Sequence, residues 1–102
     1  MSSYRIGSKA ESDLASIFDY TVDHWGWRQA DDYADKLSES FQLLADTPGL
    51  GKPSSLMAAG IRRFEQGSHV VFYKEASDGI EILRVLHRSM LPTEHRLNPK
   101  EQ

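Results

Sequence analysis

At 102 residues, the chain is expected to form a single domain over 1–102 with one modest core, and 39% hydrophobic against 26% charged residues marks it as globular rather than disordered. It has no cysteine, so a disulfide framework, a thiolate nucleophile and a cysteine-built zinc site are excluded. Residues 1–51 carry four basic and nine acidic groups, a net −5, and residues 52–102 carry eight basic and six acidic, a net +2. This split suits one acidic and one weakly basic face and is too weak for stable nucleic-acid binding, so no sequence-specific contact with nucleic acid is expected.

No basic start followed by an apolar run opens the chain, and no apolar stretch approaches the roughly 20 residues that span a bilayer. A cytoplasmic protein with no membrane partner is the expectation.

Tyr4 and Ile6 alternate with polar neighbours in "SYRIG", which predicts a short strand over residues 3–7. Ser8 stands three residues before Glu11, the spacing of a capping box, and predicts the start of a helix. Ala10, Leu14, Ile17, Phe18, Thr21 and Trp25 then recur every three or four residues on one face, with Asp13, Asp19 and Asp23 pointing away from it. Gly26 is placed to end this helix in a left-handed conformation. A second helix is predicted over 28–45, its apolar face carrying Ala30, Tyr33, Ala34, Leu37, Phe41 and Leu44, and Thr47 before Pro48 stops it. The short connection makes an antiparallel hairpin.

Glycines and prolines make residues 47–60 a loop, after which the apolar period drops to two. Three strands over 61–66, 68–74 and 80–88 follow as an antiparallel meander, the last two joined at Asp78-Gly79, both of which tolerate positive φ. Pro92 and "TEHRLN" suggest a short C-terminal helical turn. The fold class is therefore α+β: an N-terminal strand, then a helical hairpin packed on one face of a small, mainly antiparallel sheet. The expected core brings Leu14, Phe18, Leu37 and Phe41 against Phe72, Leu83 and Val85, leaving the other face partly open.

The order of elements, with "LASIFDYTVDHWG", "QADDYADKL", "LLADTPGLGKP", "GIRRFEQGSHVVFYK" and "IEILRVLHRSM", resembles the ParE toxins of the RelE/ParE superfamily, from Tyr4 to about His95. The resemblance implies the toxin of a type II toxin–antitoxin pair, with a ParD-like antitoxin as partner, no cofactor, and DNA gyrase as the target that it holds in its cleaved state. RelE-like relatives are instead ribosome-dependent mRNA endoribonucleases, which is the alternative reading.

RNA cleavage without a metal needs a group to activate the 2′-hydroxyl, a group to protonate the leaving oxygen, and cations on the phosphate. The resemblance places His69 where the nucleases tend to carry an arginine, leaves Lys52 alone in a loop where they carry lysines, and offers only His95 in place of a late tyrosine. His87, Arg84 and Arg88 would be the acid–base group and the phosphate clamps. Strand alternation sends Arg84 and His87 to opposite faces, which works against that trio. Arg63, His69, Arg84, His87 and Arg88 are accordingly expected to contact the antitoxin or the target, with no catalytic residue and no metal ligand.

Simpler roles are available to the remaining polar and aromatic residues. Trp25 and Trp27 can clamp the hairpin turn, and Arg62 or Arg63 can pair with Glu65 or Glu81. Asp31, Asp32 and Asp35 can be a solvated face, and His24 a helix-end residue.

Overall fold

The computed structural model describes residues 2–54, 56 and 58–92, and the C-terminal turn expected around "TEHRLN", with His95, lies outside these. Strand β1 (Ser3–Ile6) leads into helix α1 (Ser8–Trp25) and helix α2 (Trp27–Asp46), followed by β2 (Lys52–Pro53), β3 (Arg62–Gln66), β4 (His69–Ala76) and β5 (Gly79–His87). The sheet order is β1-β5-β4-β3-β2, with β1 parallel to β5 and the other pairs antiparallel. Among the described residues, no helix is long and apolar enough to cross a membrane.

Helix α1 begins differently from the expected capping box. Gly7 is the N-cap, with no side chain bonded to the free amides, and Ser8 is already helical. Strand β1 runs straight into the helix, since the Gly7 amide is still donating to the Ile82 carbonyl across the sheet, so there is no turn in which a serine could reach back. The single residue Gly26, at φ 92°, reverses the chain between the helices.

The helices bury Ala10, Leu37, Phe41, Leu44 and Ala45 against Val71, Tyr73, Ile80, Ile82 and Val85, with Leu14, Ile17 and Tyr4 packed on the margin. Phe72, expected in this layer, is fully buried on the opposite side, where its strand neighbours are Arg63 and Arg84. Val71 and Tyr73 on either side of it pack against the helices, so alternation along β4 turns Phe72 the other way. Leu83, also expected in this layer, is displaced by a bulge: Phe72 pairs with Arg84 but Tyr73 pairs with Ile82, so Leu83 is an extra residue on β5 and Ile82 and Val85, three apart, both reach the helices. Val70 and Phe72 both have no exposure, so the face expected to be partly open is covered along the middle of β4.

Strand β2 falls within the stretch expected to be loop; two residues pairing with Arg63 and Arg62 leave no detectable period, and Pro53 is tolerated because β2 is an edge. The β4–β5 turn also differs from expectation. Ala76 pairs with Gly79, so Ser77 and Asp78 form the loop, and neither has positive φ.

Candidate functional site

The structure divides the five candidate residues between two places. His69 and His87 are cross-strand partners at the end of the β4–β5 ladder, on the side facing α2, and Arg88 follows directly. Arg63 and Arg84 lie on the other side, flanking Phe72.

At the first place, α2 supplies a residue that the sequence had assigned only to the apolar face of its helix. The Tyr33 hydroxyl donates to the Gln66 carbonyl at 2.9 Å and lies 2.6 Å from His69 Nδ1. Having one proton, it accepts from His69 if it donates to Gln66, which puts the His69 hydrogen on Nδ1. Gly67 makes room for this, because a Cβ there would stand 2.8 Å from the Tyr33 ring. Ser40, also on α2, donates to Gln66 Oε1 at 2.6 Å. Tyr33 and Ser40 thus tie the β3–β4 turn to α2.

The His87 ring meets His69 edge to face at 5.2 Å, and its Nδ1 accepts from the Ser89 amide at 3.0 Å and sits 2.8 Å from the Ser89 hydroxyl. That leaves the neutral ring's hydrogen on Nε2. Arg88 donates to the Gly67 carbonyl at 2.6 Å and stands 3.9 Å from Glu65. His87 and Arg88 are exposed, while His69 is half-buried.

Burial, followed by the nearby His87, pushes the His69 ring below its ordinary value of 6.5. Burial also raises the Tyr33 phenol, against the smaller opposing effects of the Ser68 amide and the Arg88 charge. A histidine held neutral in the fold but free to protonate when unfolded contributes stability that is present above about pH 6.5 and lost as pH falls through the lower folded value. Urea midpoints are therefore expected to drop between pH 7.5 and 5.5, and His69→Gln to flatten that slope. An equal slope in the variant would assign the dependence elsewhere.

At the second place, Asp13 of α1 departs from its expected solvent position. Its carboxylate accepts from Arg84 Nε at 2.8 Å, from Arg84 Nη2 at 2.9 Å and from the Val85 amide at 2.9 Å. The site exists because β1 ends against Ile82 while β5 continues to His87, so the β5 edge beyond β1 has an amide without a strand partner. Burial works to raise the Asp13 carboxyl, and the Arg84 and Val85 hydrogen bonds with the Arg84 charge outweigh it, holding it below the usual carboxylate value. The Asp13 bond in turn raises Arg84. Arg63 pairs with Glu65 at 3.3 Å, and Arg62 donates to the Gly51 carbonyl at 2.6 Å.

Between the helices the surface opens into an apolar cavity of about 420 Å³, floored by Ile6, Leu37 and Phe41 and bordered by Leu14, Phe18 and Tyr33. Small residues, Ala15, Ala30, Ala34 and Ser38, keep it open. Tyr33 belongs both to this cavity and to the histidine pair. Among the described residues, no group of three His, Cys, Asp or Glu side chains is disposed to hold a metal ion.

The profile of the family described as the ParE toxin of the type II toxin–antitoxin system parDE matches residues 4–92. The chain belongs to the ParE toxin family. It is 43% identical over 95 residues to toxin ParE1 of Caulobacter vibrioides, covering 93% of this chain and 98% of that one. It is also 34% identical over 90 residues to toxin ParE1 of Mycobacterium tuberculosis, covering 87% and 92%. Among solved structures, it resembles a chain from the chromosomal ParDE system of P. aeruginosa, with a TM-score of 0.72, 26% identity, and 85% and 96% of the two chains covered. The toxin–antitoxin complex RelBE2 of Mycobacterium tuberculosis shares the fold, with a TM-score of 0.62, 24% identity, and 85% and 98% covered. The ParE family lies within the RelE/ParE superfamily, whose strand, helical hairpin and sheet order this chain follows.

Proposed function

We propose that this ParE-family chain is a non-enzymatic toxin that acts in the cytoplasm by binding DNA gyrase and holding it with its DNA cut. Any such effect requires tighter binding to the cleaved complex than to the resting enzyme. Family membership supports the reading most directly, and the engagement of the candidate nuclease groups agrees with it. Arg84, which a nuclease would use as a phosphate clamp beside Arg88, is held in a bidentate pair with Asp13 away from His87. His87 Nδ1 is occupied by Ser89.

A ParD-like antitoxin would neutralise the toxin by laying a segment, ordered on binding, over the helical hairpin, with apolar side chains entering the cavity between α1 and α2. His87 and Arg88, exposed at the end of β5, are the candidates for direct contact with antitoxin or target. Arg63, His69 and Arg84 would contribute through the positions that they fix.

Supercoiled plasmid incubated with the protein, gyrase and ATP is expected to yield linear DNA after denaturation, and none when gyrase or ATP is omitted. Absence of trapped cleavage at saturating protein would sink the gyrase reading. The exposed His87 beside Arg88 keeps a ribosome-dependent ribonuclease as the second reading. Toeprinting on translating ribosomes would then show new mRNA ends that disappear in His87→Ala and Arg88→Ala.

A further inference from the structure

We propose that the tip of the helical hairpin is a docking site for an arginine- or lysine-bearing segment of a partner protein. Trp25 and Trp27 flank the turn with 64% and 66% of their surfaces exposed, although a tryptophan closing a hairpin would ordinarily bury most of its ring. Trp27 rests edge to face on Phe18 at 5.5 Å, and Phe18 also lines the cavity between the helices, so the aromatic surface continues into the apolar groove.

Acidic groups outnumber basic ones around these rings. Residues 19–35 carry Asp19, Asp23, Asp31, Asp32 and Asp35 against Arg28 alone. Among the described residues, none of the five carboxylates forms a salt bridge. Asp31 lies one helical turn from Trp27 on α2, Asp23 one turn from Asp19 on α1, and Asp19 borders the groove with Phe18. An indole face framed by an excess of carboxylates over Arg28 matches a guanidinium or ammonium, which gains cation–π attraction from the ring and Coulomb attraction from the acids. The same field repels nucleic acid and anionic lipid. Tryptophan and arginine are also the side chains that most often concentrate binding energy at an interface. The site does not depend on gyrase being the target, because it identifies the chemistry of a partner segment and not the partner.

Trp25 and Trp27 are the only tryptophans, so intrinsic emission reports on this site alone. In the free protein, caesium is expected to quench that emission more strongly than iodide does, and equal or stronger quenching by iodide would overturn the acidic frame. The binding probe is a capped amphipathic helical peptide with leucines on one face and arginines beside it, compared with the same peptide carrying citrulline in place of arginine. Saturable emission change with the arginine peptide is expected, weakened roughly tenfold by citrulline, by Trp27→Phe together with Trp25→Phe when followed by calorimetry, or by Asp23→Asn with Asp31→Asn. Circular dichroism unchanged from the parent confirms that these variants are folded. Equal affinity for the citrulline peptide, or no binding of either, would overturn the proposal. So would burial of the tryptophans by self-association in sedimentation, or by vesicles of zwitterionic phosphatidylcholine.

Discussion

Gly79→Ala is expected to detach β1 from the sheet and to cost on the order of 3–5 kcal/mol. A Cβ at this position would lie 1.8 Å from the Ser3 carbonyl oxygen, a backbone atom that cannot move without breaking the β1–β5 register, and the glycine's φ of 151° is one that side chains rarely adopt. Losing β1 exposes Tyr4, whose ring stands edge to face with Phe41 at 5.5 Å, and Ile6, which borders the groove. The cost is thus backbone strain plus the burial of two side chains. Urea unfolding measures it, and amide exchange at Arg5 and Ile6 should accelerate more than exchange within β4. Gly49→Ala is the control: nothing lies within 4 Å of its would-be Cβ, and a change below about 0.5 kcal/mol is expected. A Gly79→Ala protein within 1 kcal/mol of the parent would show that β1 contributes little.

That glycine illustrates what the sequence could and could not reveal. Asp78-Gly79 reads as a hairpin turn, and a hairpin turn is there one residue earlier, at Ser77-Asp78, while Gly79 is already in β5 and is required for the approach of β1 from the far end of the chain. Local composition carries the turn signal, whereas nothing local carries the partner. The same distinction runs through the fold. Helix faces and strand periods are set by neighbours three, four or two residues away, so both helices and the three long strands were found to within a few residues. The bulge at Leu83 leaves no mark in "IEILRVLHR", where Ile82 and Leu83 are equally apolar, and the unbroken apolar run Val70–Tyr73, buried on both faces, does not show which alternate residues meet the helices, so neither Leu83 nor Phe72 is placed by its neighbours.

The candidate residues show the limit more sharply. Their basic character at strand ends is visible, but the partners of His69 and Arg84 lie 36 and 71 positions away, at Tyr33 and Asp13. A tyrosine in an apolar helical stripe and an aspartate on the apparent solvent side of α1 carry no sign that they meet the sheet. The clue to Asp13 was the unequal length of the paired strands: β5 outruns β1, and the edge it exposes needs an acceptor.

Removing that acceptor is the most informative test of the second place. Asp13→Ala should destabilise the protein by about 2–4 kcal/mol, because it strips the Val85 amide of its partner and leaves the Arg84 guanidinium, whose side chain is 35% exposed, without its counter-charge. Asp13→Asn should cost less, since one amide oxygen can still accept from Val85. Adding Arg84→Met to Asp13→Ala should recover part of the loss, giving a coupling between the two sites that a double-mutant cycle reads directly. The pH dependence has a defined sign. The folded Asp13 carboxyl titrates below its ordinary value of 3.8, so its contribution is complete above that value and is lost as pH falls through the lower folded one. Acid unfolding of Asp13→Asn should lack this component. If both single variants and the double variant were equally stable, the bidentate pair would be a surface ornament rather than the clasp between α1 and β5. Arg84 would then be free to act elsewhere, and a phosphate-clamp role for it would have to be reopened.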